Sequence, residues 1–295
     1  PIHEETGAPY ASQTPGVMHA CGHDGHTAML LGAVKYLTET RNFDGTVAVI
    51  FQPAEEGGGG GREMVDDGMM EQFNIAEVYG MHNWPGDPVG AFSIRPGPFF
   101  AAADVFSIRV TGRGGHAAKP HDTIDPTVIA CHIVLALQTI VSRNADPSKQ
   151  IVVSLTSFET GSNADNVIPE YVDLKGTVRT LDPAMQDLAE DRMHTIVGNT
   201  ATAFGGAADL KYNRNYPVMV NSDAQTEFAA QAAQAVSGTC AAASIVMGSE
   251  DFAFMLEARP GAYILMGNGD TAHVHNPKYD FNDDAIPVGC SWWVE

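Results

Sequence analysis

The stretch Val105-Phe106-Ser107-Ile108-Arg109-Val110-Thr111 marks a change in the character of the chain. Phe106, Ile108 and Val110 alternate with Ser107, Arg109 and Thr111, the two-residue period of a strand that buries one face and leaves the other in water. Upstream the pattern is different. Residues 46–51, Thr-Val-Ala-Val-Ile-Phe, form a continuous apolar run that predicts a strand covered on both faces, and residues 78–81 predict another. Residues 26–40, with Met29, Leu30, Ala33, Val34 and Leu37 on one face, predict a helix, as does the stretch 62–70. Strands and helices alternating in this way build a largely parallel α/β sheet.

Downstream, Asp125-Pro126 offers a helix cap followed by a first-turn proline, opening a helix to about Ser142. Residues 150–158 and 171–180 predict strands, 184–204 a helix, and 207–213 a last strand. The order β-α-β-β-α-β is that of a ferredoxin-like split unit. After Tyr216-Pro217 the α/β pattern resumes, with a helix at 223–236 and an apolar strand at 262–266 leading into a glycine-rich loop. The expected fold class is therefore α/β, with a mostly parallel sheet domain formed by residues 1–103 and 217–295. It is interrupted by an inserted ferredoxin-like α+β domain, residues 104–216. A length of 295 residues suits two cores better than one.

The formal charge of -20, from 36 acidic and 16 basic side chains, repels phosphate backbones and anionic lipid, so neither nucleic acid nor membrane is an expected partner. An anionic substrate would need a local cation. The most apolar segment, residues 128–141, is interrupted by His132 and Gln138 and reads as too short for a membrane span. Cys21, Cys131, Cys240 and Cys290 are too few and too scattered for a disulfide scaffold, and a cytoplasmic location is expected.

Four segments carry chemistry. His19-Ala20-Cys21-Gly22-His23-Asp24-Gly25-His26 crowds together the side chains that bind transition metals, just before a helix. Phe51-Gln52-Pro53-Ala54-Glu55-Glu56 places two carboxylates after the first predicted strand and before the run Gly57 to Gly61. In extended backbone neighbouring side chains point in opposite directions, so one glutamate could bind metal while the other serves as a proton carrier. Tyr79-Gly80-Met81-His82-Asn83-Trp84 puts a histidine directly after the second strand, and Thr271-Ala272-His273-Val274-His275-Asn276-Pro277 follows the last. Open α/β sheets bind ligands at such strand ends, and four segments converging there argue for metal more strongly than any one of them.

These segments resemble the hippurate hydrolase and indoleacetyl-amino-acid hydrolase branch of the aminoacylase and carboxypeptidase G-type metallopeptidases. The similarity runs through the whole chain. Cys-Gly-His-Asp, Pro-Ala-Glu-Glu-Gly and Asn-Pro-Lys-Tyr-Asp-Phe-Asn-Asp are its most specific parts. The resemblance implies that Cys21, His23, Glu56, His82 and His275 bind two divalent ions, manganese, zinc, nickel or cobalt, and that Glu55 is the general base. It implies that the insert is a lid and homodimerisation domain, with His116 contacting the substrate carbonyl and Asn166 and Arg179 binding substrate. Gly248-Ser249-Glu250-Asp251-Phe252 matches a family segment without an assigned role. In the family, the segment that opens here at Pro1-Ile2-His3-Glu4 follows a strand and an Asp-Met-Asp-type motif. The N-terminal segment of the family fold is therefore expected to be missing.

The expected activity is metal-dependent hydrolysis of the amide bond of N-acyl amino acids, hippurate-like or N-acetylated, or of short peptides. Glu55 would move the proton, His116 would stabilise the oxyanion, and Arg179 would grip the amino-acid carboxylate bidentately. Two alternatives differ in class. One is a catalytically impaired binding or assembly module. The other is a thiol hydrolase with Cys21 as nucleophile, which leaves Glu55, Glu56, His82 and His275 without a shared purpose.

Overall fold

Gly261-Ala262-Tyr263-Ile264-Leu265-Met266-Gly267 forms a strand in which all seven residues are buried, the signature of a strand covered on both faces. It lies in the first of two compact units in this computed structural model, which describes residues 2–295. Pro1 lies outside the described residues, so the expectation attached to the opening residue is not addressed by them. The first unit contains the chain up to Gly97, together with Val220–Ser244 and Phe254–Glu295; the second contains Pro98–Met219 and Ile245–Ala253.

The chain runs through α1 (His23–Thr40), α2 (Gly60–Asp66), α3 (Met69–Gln72), β1 (Val78–Trp84), β2 (Phe92–Ile94) and β3 (Gly97–Phe100). It continues through β4 (Ala102–Thr111), β5 (Gly115–His116), α4 (Pro126–Thr139), β6 (Ile151–Thr160), β7 (Val167–Ile168), β8 (Tyr171–Thr180), α5 (Pro183–Ala203) and β9 (Ala207–Tyr216). The last stretch holds β10 (Met219–Asn221), α6 (Asp223–Ser237), β11 (Cys240–Ala242), α7 (Ala253–Ala258), β12 (Gly261–Gly267) and α8 (Ile286–Val294).

In the first unit the sheet order is β1-β12-β2-β11. The β1–β12 and β2–β11 pairings are parallel, whereas β12–β2 is antiparallel. Helices cover the apolar surface: Met29 of α1, Ala229 and Ala233 of α6 and Trp292 of α8 pack with Met81, Phe92, Ile264 and Met266. The Trp292 indole also donates to the Ala229 carbonyl at 3.0 Å, so its one polar atom is satisfied inside the core. This mixed sheet is the mostly parallel α/β arrangement expected from the sequence.

The second unit carries the β-α-β-β-α-β order, in an all-antiparallel sheet arranged β6-β8-β4-β9. Phe106, Ile108 and Val110 face a core shared with Val172, Leu174 and Val178, and with Ile129, Ile133 and Leu137 of α4 and Met193 and Val197 of α5. Asp125 caps α4 by accepting a hydrogen bond from the Thr127 amide at 2.8 Å, and Asp182 caps α5 through Ala184 at 2.9 Å.

Three local expectations are corrected. Residues 46–51 form no strand among the described residues, and Val47, Val49 and Phe51 are exposed. A β-branched apolar run becomes a strand only with a hydrogen-bonded neighbour, and none of the described strands pairs with it. The helix expected over 62–70 is two short helices, α2 and α3, divided at Gly68, whose φ of 83° lies in the left-handed region. Finally, α4 continues as a wider turn through Asn144, giving a 19-residue apolar helix long enough by length and composition to cross a membrane. Its buried face packs into the core of the second unit, as a core helix does.

Asp125→Ala removes the acceptor for the Thr127 amide and is expected to cost about 1 kcal/mol. Urea unfolding followed by circular dichroism checks this as a lowered midpoint with an unchanged slope.

Candidate metal centre

Cys21 lies in the turn before α1, and Gly22 starts that helix from a left-handed conformation with φ 80°. Gly22 is required twice over. Only glycine takes this φ without strain, and a Cβ there would overlap the Tyr279 hydroxyl and the Asn83 side-chain amide. His23 and His26 occupy the first turn of α1. Glu55 and Glu56 follow Ala54, itself left-handed at φ 54°, on a tight turn in which the Gly57 amide donates to the Glu55 carbonyl at 2.8 Å. His82 is inside β1, not after it. His275 sits beyond β12 at φ 64°, unusual for a residue with a side chain, and its amide donates to the Ala20 carbonyl at 2.7 Å. That bond ties the histidine loop to the cysteine loop.

These placements gather the five residues expected to bind metal. Ligand atoms of Cys21, His23 and His82 lie within 4.8 Å of one another, as do those of Cys21, Glu56 and His275. Cys21 belongs to both groups. Its Sγ is 3.4 Å from His82 Nε2, and His275 Nε2 is 2.9 Å from a Glu56 carboxylate oxygen. A third group of the same compactness joins His23 with Glu55 and Glu56, and the closest His23–Glu55 approach is 3.9 Å. The two glutamates therefore do not point apart as extended backbone would dictate. The tight turn replaces the expected strand end and brings both carboxylates to His23.

The hydrogen bonds fix the ring nitrogens. A carbonyl only accepts, so His82 Nδ1, 2.6 Å from the Asn83 carbonyl, carries the hydrogen and leaves the Nε2 lone pair facing Cys21. His26 Nε2 accepts from the Asn83 backbone amide at 2.9 Å. Burial, more than the neighbouring His82, holds His23 down to about 4, and burial likewise lowers His26 and His82. All three imidazoles are neutral near pH 7; His23 and His82 have lone pairs to offer, whereas that of His26 Nε2 is taken by the Asn83 amide. The Cys21 thiol, the imidazoles of His23, His82 and His275 and the carboxylates of Glu55 and Glu56, spaced this closely, are a donor set that fits transition-metal ions. His26 was not singled out from the sequence; its place in the first turn of α1, one turn beyond Gly22, is the only signal of its role.

The second unit contains the other three expected residues. His116 on β5 stands opposite Val167 of β7, and the Ala117 amide donates to the Asn166 carbonyl at 3.0 Å, so His116 and Asn166 are close neighbours. The Ala118 amide donates to His116 Nδ1 at 3.1 Å, which leaves a neutral ring with Nε2–H free to donate. Arg179 is in β8, half-buried, and donates to the Thr177 hydroxyl and to the Val178 carbonyl. Glu250 and Asp251 are buried in the same unit, with a Glu250 carboxylate oxygen accepting from the Phe252 amide at 3.1 Å.

The sequence matches the profile of Peptidase family M20/M25/M40 over residues 1–295. The chain belongs to this family. Among relatives, hippurate hydrolase of Campylobacter jejuni is 40% identical over 300 residues, an alignment covering 100% of this chain and 77% of the relative. N-acetylcysteine deacetylase of Bacillus subtilis is 36% identical over 296 residues, with coverage of 100% and 77%. In structure, the YXEP protein of Bacillus subtilis, described as a dinuclear metal-binding peptidase of family M20, aligns with a TM-score of 0.85 at 32% identity. That alignment covers 100% of this M20-family chain and 76% of its neighbour.

The lowered histidine pKa values have a consequence for stability. For His23 the unfolded group takes up a proton near its ordinary 6.5 while the folded one waits until about 4. Stability of the metal-free protein is thus full above pH 6.5 and declines as pH falls from there toward 4. Melting temperatures measured across that range should drop with acidification. His23→Gln, which cannot titrate there, should flatten the slope.

Proposed function

We propose that this chain is a dinuclear metal-dependent amidohydrolase that cleaves the amide bond of small N-acyl amino acids or short peptides. The observation that carries the reading is the pair of overlapping donor groups, Cys21–His23–His82 and Cys21–Glu56–His275, sharing one thiol. The relatives named hippurate hydrolase and N-acetylcysteine deacetylase support an acylated amino acid as substrate class. The YXEP neighbour supports a centre of two ions.

In this reading Cys21, His23, Glu56, His82 and His275 hold manganese, zinc, nickel or cobalt. Divalent ions held there would supply Lewis acidity toward the amide carbonyl and toward the attacking water. Glu55 accepts the proton of the attacking water and delivers it to the departing nitrogen; its turn and its closeness to His23 support that role. His116, with Nε2–H free, donates to the carbonyl oxygen as negative charge develops there, and Asn166 lies beside it on the neighbouring strand segment. Arg179 pairs with the carboxylate of the amino acid. A guanidinium suits that task within a chain of net charge -20, because it stays cationic and grips both oxygens.

We further propose that residues 104–216 act as a lid and as the contact surface of a homodimer. Strand β6 lies at a sheet edge with one neighbour, β8, and α4 exposes Val128, Leu135 and Val141. A cytoplasmic location accords with cysteines that form no disulfide.

The 3.4 Å Cys21–His82 contact also favours a second reading, with Cys21 as nucleophile. Burial of both residues and the separate His275–Glu56 pair weigh against it. Chelator decides: hydrolysis that survives complete removal of metal belongs to the thiol.

Hydrolysis of benzoyl- and acetyl-amino acids is expected with divalent metal and lost with chelator. Glu55→Gln should keep its metal content and lose turnover by roughly two to four orders of magnitude. Glu56→Gln should instead bind metal more weakly, and equal metal loss in both variants would refute the division of roles. For the dimer, Leu135→Glu is expected to shift sedimentation toward the monomer while leaving the fold intact.

A further inference from the structure

Asn83 is fully buried and follows His82 in β1, so the two side chains leave the strand on opposite sides. Every polar group of Asn83 is engaged. Its Oδ1 accepts from the Tyr279 hydroxyl at 2.9 Å. Its Nδ2 donates to the Cys21 carbonyl at 2.7 Å and lies 3.0 Å from His26 Nε2. Its backbone amide donates to His26 Nε2, and its carbonyl accepts from His82 Nδ1. One residue thereby joins the Cys21 loop, the first turn of α1, the strand bearing His82 and the segment that follows His275.

We propose that Asn83, with its amide held by the Tyr279 hydroxyl, is a positioning residue that aims the Cys21 and His82 donors at the metal ions. The inference rests on the metal-binding reading above and extends it to residues that donate nothing to metal themselves. The effect on His82 is indirect: the backbone carbonyl of residue 83, which accepts from Nδ1 and sets the tautomer, is held in place by the side-chain amide's bonds to the Cys21 carbonyl and the Tyr279 hydroxyl. The effect on Cys21 is through its own carbonyl, which the side-chain amide draws toward β1. The missing Cβ at Gly22 is what permits the approach, because a methyl group there would stand 2.2 Å from the Tyr279 hydroxyl and 2.6 Å from Asn83 Nδ2. Tyr279 is itself buried at 2% exposure, so the hydroxyl has no water to replace Asn83 and holds the amide in one orientation.

The test uses the full chain, stripped of metal and titrated with cobalt(II), whose ligand-field and thiolate charge-transfer bands report the geometry at Cys21 and the histidines. Affinity is read by competition with a chelator, and the melting temperature of the metal-free protein is read separately. Tyr279→Phe removes only the hydroxyl. It is expected to weaken cobalt binding about tenfold and to shift the charge-transfer band, with little change in the metal-free melting temperature. Asn83→Ala is expected to weaken binding by up to about 100-fold. Ile264→Val, a cavity in the core of the same unit, is the control: it should lower the melting temperature and leave affinity and spectrum as in the unsubstituted protein. If Asn83→Ala does not fold, Tyr279→Phe decides alone. Cobalt affinity and bands unchanged in Tyr279→Phe, or altered no more than in Ile264→Val, overturn the positioning role while the metal site stands. An unsubstituted chain that takes up no cobalt overturns the metal-binding reading and this inference with it.

Discussion

Three imidazoles packed against one another, His82 buried and His23 and His26 half-buried, are held neutral near pH 7, and most of the site follows from that constraint. The rings of His26 and His82 are 4.5 Å apart between centroids, and His23 is 5.5 Å and 5.7 Å from them. Burial already disfavours a charge on any one of them, and a second charge at this separation would add repulsion in a medium that screens poorly. Neutral imidazoles have one donor nitrogen and one lone pair each. For His82 and His26 the backbone of Asn83 decides which nitrogen is which. A lone pair facing a thiol and bordered by carboxylates is a concentration of electron donors that a cation completes.

The donors are not equally rigid. Cys21 and His82 are buried, one beneath the entry to α1 and the other within a strand that pairs along its length with β12. Glu56 and His275 are exposed, on a tight turn and a left-handed loop residue respectively. The inner half is thus preorganised by the packing that stabilises the first unit. The outer half depends on backbone bonds such as His275 to Ala20, and on the Glu56–His275 contact. Side chains built on strands and helix ends hold tighter geometry than those on loops, so in the proposed metal-binding reading the inner pair is the more rigid half.

The second unit solves a different problem. Its sheet buries one face under α4 and α5 and leaves the other polar, with Arg109 gripping Asp173 through two bonds of 2.8 Å and 2.6 Å. Exposed pairs of this kind add little stability; the core of Ile133, Leu137, Leu174 and Met193 supplies it. The small ladder of β5 and β7 then sets His116 beside Asn166, two residues separated by α4 and β6 in the chain.

Much of this was legible in the sequence because it depends on local chemistry. The alternation at 105–111, the Asp125-Pro126 cap and the unbroken apolar run around Ile264 each specify their element through residues a few positions apart, whereas no pattern change marks Ile245–Ala253, which the fold assigns to the second unit. The crowding of Cys21 and His23, and the adjacent Glu55 and Glu56, also marked the candidate site. What the sequence could not decide was anything that needs a distant partner. Residues 46–51 have the composition of a buried strand but are exposed and unpaired here, since a strand exists only through the neighbour it bonds. The glutamates share one direction because a left-handed Ala54 and a glycine turn override strand alternation. The parts of His26, Asn83 and Tyr279 were hidden for the same reason: their hydrogen bonds join segments far apart in the chain, and only the folded packing brings those donors and acceptors within reach.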